Sequence, residues 1–172
     1  MKIKEAYNNI AGYKPRETFK HGNTITDGNF MIKLEVAQEL YKQPTWMKDA
    51  LLSKDRAPES TDTWLEIAGN KELIEADKAL LSTRVEVQSD RILGMLMTDK
   101  KYSIIKYGFF KFFKDMFPYC EFYVSDFEKP IRVKSGNQEI GLFMPIGLKN
   151  KDYSWMCDDP SVKFDEPVKV AK

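Results

Sequence analysis

The chain has 172 residues, 42% hydrophobic and 31% charged, which is the size and balance of one soluble globular domain with a real core. Its 27 basic and 26 acidic residues exclude a uniformly basic coat for nucleic acid, though not a local basic face. No stretch approaches the roughly 20 apolar residues of a membrane span, and MKIKEAYNNIAGY lacks an apolar signal core, so a cytoplasmic protein with no membrane partner is expected.

In the first segment, Ile3, Ala6, Tyr7 and Ile10 recur at helical spacing and predict a helix from Lys2 to Ala11, stopped by Gly12. Its opposite face carries Lys2, Lys4, Asn8 and Asn9. From Asn23 to Val36, Asp27-Gly28 lies between two β-prone arms. That dipeptide suits a tight primed turn with two positive φ angles, which places Phe30, Ile32, Leu34 and Val36 on one face of the second strand. Residues 37–60, with Pro44 and Pro58, read as a helical insertion followed by a polar loop. Residues 61–82 fit either a Gly69-Asn70 hairpin followed by a loose turn or a short strand followed by a helix from Lys71 to Leu81; the hairpin is favoured.

The pattern then sharpens. Val85 and Val87 mark one strand, Ile92 and Leu96 the next, Ser89-Asp90 the turn between them, and KYSII (Lys101 to Ile105) a third. Lys106 to Phe117 is a helix whose apolar face holds Phe109, Phe110, Phe113, Met116 and Phe117; Lys111, Lys114 and Asp115 lie opposite, Lys106 sits at its start, and Pro118 ends it. Strands follow at Cys120 to Ser125, Pro130 to Ser135 and Gln138 to Met144, the last two joined at Gly136-Asn137. Ile131, Val133, Ile140, Leu142 and Met144 alternate as buried strand residues do. The expected architecture is α+β, two helices on one side of an antiparallel sheet, as one domain over residues 1–148 with an insertion at about 37–60 and a polar tail over 149–172 anchored by Trp155.

Chemistry-bearing patterns are sparse. Cys120 and Cys157 have no CxxC partner, so two free thiols are expected rather than a disulfide framework or a zinc site. The one histidine, His21, reads as a surface loop residue, and Asp27 as a turn residue. Asp158-Asp159 with Asp152 nearby lacks the ordered ligand spacing of a calcium loop, so a solvated acidic tail is expected there and no metal. No P-loop, nucleophile elbow, HExxH or dinucleotide fingerprint is present, so the chain reads as a non-enzyme without a cofactor. An enzyme would need a deep pocket with perturbed acids, around Asp27, Glu35 or Asp158. The phenylalanine-rich helix reads as a core face rather than a base-stacking platform. Lys2, Lys4, Lys106, Lys111 and Lys114 could equally contact phosphates without reading sequence or form a solvated face.

Two stretches carry a resemblance. ITDGNFMIKLE, from Ile25 to Glu35, resembles the threonine-aspartate-glycine hairpin of bacterial sliding clamps, the DNA polymerase III beta subunits. The run from Tyr102 to Leu148, YSIIKYGFFKFFKDMFPYCEFYVSDFEKPIRVKSGNQEIGLFMPIGL, resembles the last half-domain of the same clamps, a strand, a helix and three strands closed by a methionine-proline-methionine segment. The resemblance implies a clamp-like fold, a helix face turned to double-stranded DNA through Lys2, Lys4, Lys106, Lys111 and Lys114, and a role in replication as a processivity factor; for a one-domain chain of this kind, an origin in a phage or mobile element is a further expectation. The resemblance also implies a groove for a client peptide of a replication protein, with Thr26 and Gly28 matching the turn, Met144 and Pro145 the terminal segment, and Ile146 standing where a second methionine is usual. Asn29 and Phe30 replace the usual histidine and arginine, Gly147 replaces an arginine, and a tail follows Leu148 where clamps normally stop. Clamp subunits hold three such domains and build each groove from neighbouring ones, so a one-domain chain is expected to rebuild it by head-to-tail homo-oligomerisation. The alternative is a small protein-interaction module that uses a clamp-like fold without binding DNA, through its sheet edge and its Met144-Pro145-Ile146 end.

Overall fold

A computed structural model describes residues 12–56, 64, 76–148, 150–159 and 161–164. The expected helix from Lys2 to Ala11 and most of the ambiguous segment 61–82 lie outside the described residues.

The chain enters through three short strands, β1 (Phe19–His21), β2 (Thr24–Thr26) and β3 (Phe30–Lys33). The β1–β2 connection is a two-residue turn, Gly22-Asn23, with His21 opposite Thr24 and φ of 60° at Gly22. A glycine at the first central position is the signature of a hairpin turn that matches strand twist. His21 therefore sits half-buried in a strand, not in a surface loop.

β3 ends where a longer strand is expected. Leu34 and Val36 belong to helix α1 (Leu34–Glu39), although the Leu34 amide still donates to the Asn23 carbonyl at 2.7 Å, the last rung of the β2–β3 ladder. Leu-Glu-Val-Ala-Gln-Glu is rich in helix formers, and Val36 and Ala37 are both buried by the turn. Helix α2 (Thr45–Leu52) follows, with Pro44 extended at its N-cap and Met47 and Ala50 buried. Within residues 37–60, expected as a helical insertion, the described part holds the end of α1 and all of α2.

β4 (Asp77–Leu81) is a strand, neither part of a helix nor a loose turn. Its first residues pair with β8 (Glu121–Val124), and Leu80 and Leu81 pair with β6 (Ile92–Met97), so it links the two halves of the sheet. β5 (Glu86–Val87) continues along the same side of β6, and β7 (Tyr102–Lys106) lies on its other side. Helix α3 (Tyr107–Met116) follows β7 directly, then β8, β9 (Ile131–Ser135) and β10 (Gln138–Phe143). Every pairing is antiparallel, in the order β1-β2-β3-β10-β9-β8-β4-β6-β5, with β7 on β6. The α+β class expected from the sequence is the class observed, among the described residues.

α3 buries Phe109, Phe112 and Phe113 against the sheet, with Phe110, Met116 and Phe117 packed at the rim. Phe109 and Phe113 stack on Phe143 of β10 with ring centroids 5.1 and 5.6 Å apart. A bulge at Ile140 breaks the expected alternation along β10. Ile140 and Phe143 join the core under α3, whereas Leu142 packs on the opposite face with Trp64 and Met31. Met144 lies beyond the strand and is exposed rather than buried.

The tail also departs from expectation. A 3-10 turn (Ser154–Met156) sends Tyr153 and Met156 into a second core with Leu93, Met95, Ile104 and Phe127, while Trp155 stays 44% exposed. Polar ties hold it there: Leu148 N–H donates to Tyr153 Oη at 2.8 Å, Lys151 Nζ to Glu86 at 2.8 Å, and the Thr83 amide to Asp158 at 2.8 Å. The anchor is Tyr153 with Met156, not Trp155.

Candidate binding site at the Asp27 loop and the Met144 end

The loop between β2 and β3 is held by its own side chains. Thr26 Oγ1 donates to the Phe30 carbonyl at 2.6 Å and accepts from the Gly28 amide at 2.9 Å. Asp27 Oδ1 accepts from the Asn29 amide at 2.9 Å and the Phe30 amide at 3.3 Å, the Asx-turn pattern that aspartate favours. Gly28 takes φ of 95°, and no other residue of the loop has positive φ. The tight two-residue primed turn expected at Asp27-Gly28 is therefore a wider loop, with Thr26 opposite Met31. The other Asp27 oxygen accepts a hydrogen bond from the Tyr13 hydroxyl. Burial, and then this carboxylate, push the Tyr13 phenol well above its ordinary range, so it stays a donor.

β10 pairs with β3, Phe143 opposite Phe30, and the Met144 amide donates to the Asn29 carbonyl at 3.2 Å. The two stretches that carry the clamp resemblance are therefore hydrogen-bonded neighbours within one chain. Their meeting involves no second copy of the chain. Gly28, Asn29 and Met144 are exposed at this end of the sheet, while Thr26 is buried in the loop. Pro145 leads away from it, and the Ile146 amide donates to the Ile104 carbonyl at 2.8 Å. Ile146 packs against the second core, apart from Met144.

Lys2 and Lys4 lie outside the described residues. Lys106 caps the start of α3, with Nζ 5.4 Å from the centre of the Tyr13 ring. Lys111 is exposed. Lys114, in the last turn, donates to the Cys120 carbonyl at 2.6 Å, where a cation complements the helix C-terminus.

A feature missed in the sequence lies beside the loop. Lys14, Arg16 and Lys106 face one cleft together with Tyr13, Asn29 and Asp90. The signal was present in Tyr-Lys-Pro-Arg, because the residue before a proline is held extended and an extended chain puts positions i and i+2 on one side.

The other acids are engaged locally. Glu35 pairs with Lys33 at 2.9 Å; Asp158 accepts from Thr83, and Asp159 from Ser161, and these contacts hold both aspartates below the usual carboxylate range. No group of three or more histidine, cysteine, aspartate or glutamate side chains that could hold a metal occurs among the described residues. Cys120 and Cys157 are free and buried, and burial pushes the Cys120 thiol up to about 11. No helix among the described residues is long and apolar enough to cross a membrane. Comparison with protein-family models, curated proteins and solved structures found no match to the chain.

Proposed function

We propose that this protein is a non-catalytic, clamp-like binding and tethering protein associated with DNA replication, which captures a client peptide at the Asp27 loop and the Met144 end. The observation that supports this reading most is the pairing of β3 with β10, which sets Asn29 beside Met144 at an exposed sheet end, with exposed Gly28 next to Asn29 in the loop. β3 and β10 are both inner strands, so a short peptide would pack on the exposed Met144 side chain and the loop beside it rather than add a strand. Thr26 contributes by shaping the loop, Pro145 by turning the chain away, and Ile146 by fixing the far end of the segment on β7. The helix-face lysines, Lys111 foremost, would meet DNA phosphates without sequence preference.

A second reading is a protein-interaction module of the same fold that does not bind DNA. It is favoured by the engagement of Lys106 over Tyr13 and of Lys114 on the Cys120 carbonyl, which leaves Lys111 as the one α3 lysine without such a contact among the described residues. Fluorescence anisotropy with a labelled 20-base-pair duplex separates the two, read beside the molar mass from light scattering. The clamp reading expects DNA affinity that falls steeply between 50 and 200 mM salt, together with a closed oligomer. A monomer that ignores the duplex at 50 mM salt overturns the DNA-tethering reading and leaves the interaction module.

A further inference from the structure

Beside the exposed loop end the chain gathers cations that no carboxylate of the described residues pairs with. Lys14 and Arg16 are exposed, Lys106 is half-buried, and all three line one cleft. Among the described residues none of the three has a carboxylate partner. Two acids are near. Asp90 lines the cleft, and Asp27 adjoins it through Tyr13, but Asp27 spends its oxygens on the Tyr13 hydroxyl and on the Asn29 and Phe30 amides. Among the described residues the cleft therefore carries three cations, with one carboxylate lining it and a second, Asp27, adjoining it, in a whole chain whose net charge is only +1. An excess of charge of one sign in a concave place attracts a ligand of the opposite sign.

Asn29 makes this cleft continuous with the binding end. It lines the cleft, and its carbonyl holds the Met144 amide. Resting on the reading of that end as a client-peptide site, we propose that the partner is an acidic peptide segment. One or two Asp or Glu side chains enter the Lys14–Arg16–Lys106 cleft while an adjacent apolar residue packs on Met144. Carboxylates suit the cleft better than a duplex does. The arginine fork pairs with carboxylate and phosphate alike, so the distinction is one of reach: a short acidic side chain meets the cations while passing Asp90. A duplex would lay its phosphates across Asp90 and a surface whose overall charge is near neutral.

The test is selection from a random ten-residue peptide display library at 50 mM salt, with wild type and with a Lys14→Ser/Arg16→Ser variant. Neither side chain makes a hydrogen bond or ion pair within the described fold, and matching thermal melts confirm that both proteins are folded. The expected result is enrichment of Asp or Glu next to an apolar residue with wild type, and loss of the acidic preference with the variant. A selected peptide, resynthesised, should bind the variant about tenfold more weakly, and a version with Gln at the acidic positions should show the same loss on wild type. Enrichment of apolar sequences with no acidic preference overturns this inference and leaves the client-peptide reading standing. No enrichment at all overturns both. Duplex binding that falls in the same variant while peptide binding is unchanged assigns the cleft to nucleic acid and overturns the inference.

Discussion

Gly141→Ala tests the seam on which the candidate site depends. Gly141 lies opposite Ile32, one residue past the Ile140 bulge. A Cβ there would sit 2.3 Å from the Met31 carbonyl oxygen and 3.1 Å from Phe113 Cε1. Contacts under 3.0 Å do not persist, so the β3 backbone would have to retreat by the difference, 3.0 − 2.3 = 0.7 Å, at a point held by strand pairing and by α3 from above. Overpacking of this kind costs about 1–3 kcal/mol, and an obstacle that is backbone places it at the upper end. The loss of glycine freedom in the unfolded chain returns about 0.4–1 kcal/mol. A net loss of about 2 kcal/mol corresponds to a fall in Tm of about 4–8 °C for a chain of this length. Gly94→Ala is the matched control, because its nearest obstacle is the movable Leu81 Cδ1 at 3.2 Å. The assay is urea unfolding with a thermal melt for both variants. If Gly141→Ala melts within about 1 °C of wild type while Gly94→Ala does the same, the close approach of β3 to β10 does not exist and the placement of Asn29 beside Met144 fails with it.

Two further outcomes concern the tail. Tyr153→Ala should cost about 3–5 kcal/mol in urea unfolding, because it empties a buried site in the second core, whereas Trp155→Ala should stay within about 1 kcal/mol; the reverse order would restore Trp155 as the anchor. Asp158 and Glu86 are held below their ordinary values, Asp158 by its hydrogen bonds from Thr83 and Glu86 by its hydrogen bond from Lys151. A depressed carboxylate stabilises the fold above its unfolded value and loses that contribution as pH falls through the lower native value, so acid should loosen the tail first. In an NMR titration the Thr83 amide should move with a midpoint below 3.8, and a midpoint at or above that value would show that Asp158 does not hold the tail.

The part of the fold most legible in the sequence is the part governed by local signals. α3 ends at Met116 ahead of Pro118, its phenylalanines recur at helical spacing, and Gly136-Asn137 marks its hairpin with φ of 60° at Gly136. Three elements depart from the expected pattern, each for its own reason. Asp-Lys-Ala-Leu-Leu has helix-forming residues, yet β4 is a strand because β8 and β6 each offer it an edge. Leu34 and Val36 continue the alternation of β3, but β10 pairs only as far as Ile32, and the chain then follows its helix propensity into α1. In the tail, size pointed to Trp155, while the geometry of a 3-10 turn, with near neighbours at i and i+3, buried Tyr153 and Met156. The pairing of the Asp27 loop with the Met144 end, and the gathering of Lys14, Arg16, Lys106 and Asp90, depend on residues too distant in sequence for any local pattern to join them.

The opening of the Met144 segment has a structural consequence that ties the two halves of the molecule together. Its first amide bonds to Asn29 on the β3 side, and its Ile146 amide bonds to Ile104 at the outer strand of the other half, with Pro145 donating to neither because it has no N–H. Ile146 also packs against the same second core that Tyr153 and Met156 fill. Gly147 allows this closeness, since a Cβ there would meet Phe127 Cζ at 2.7 Å and Ile104 Cβ at 2.8 Å. A segment fixed at both ends holds Met144 at a set position without burying it. That is the condition under which an exposed methionine contacts a partner at little cost in ordering, because the backbone carrying it is already fixed. The tail, by completing the second core, fixes the far end of that segment, and it does so from a face of the sheet that leaves Met144 open.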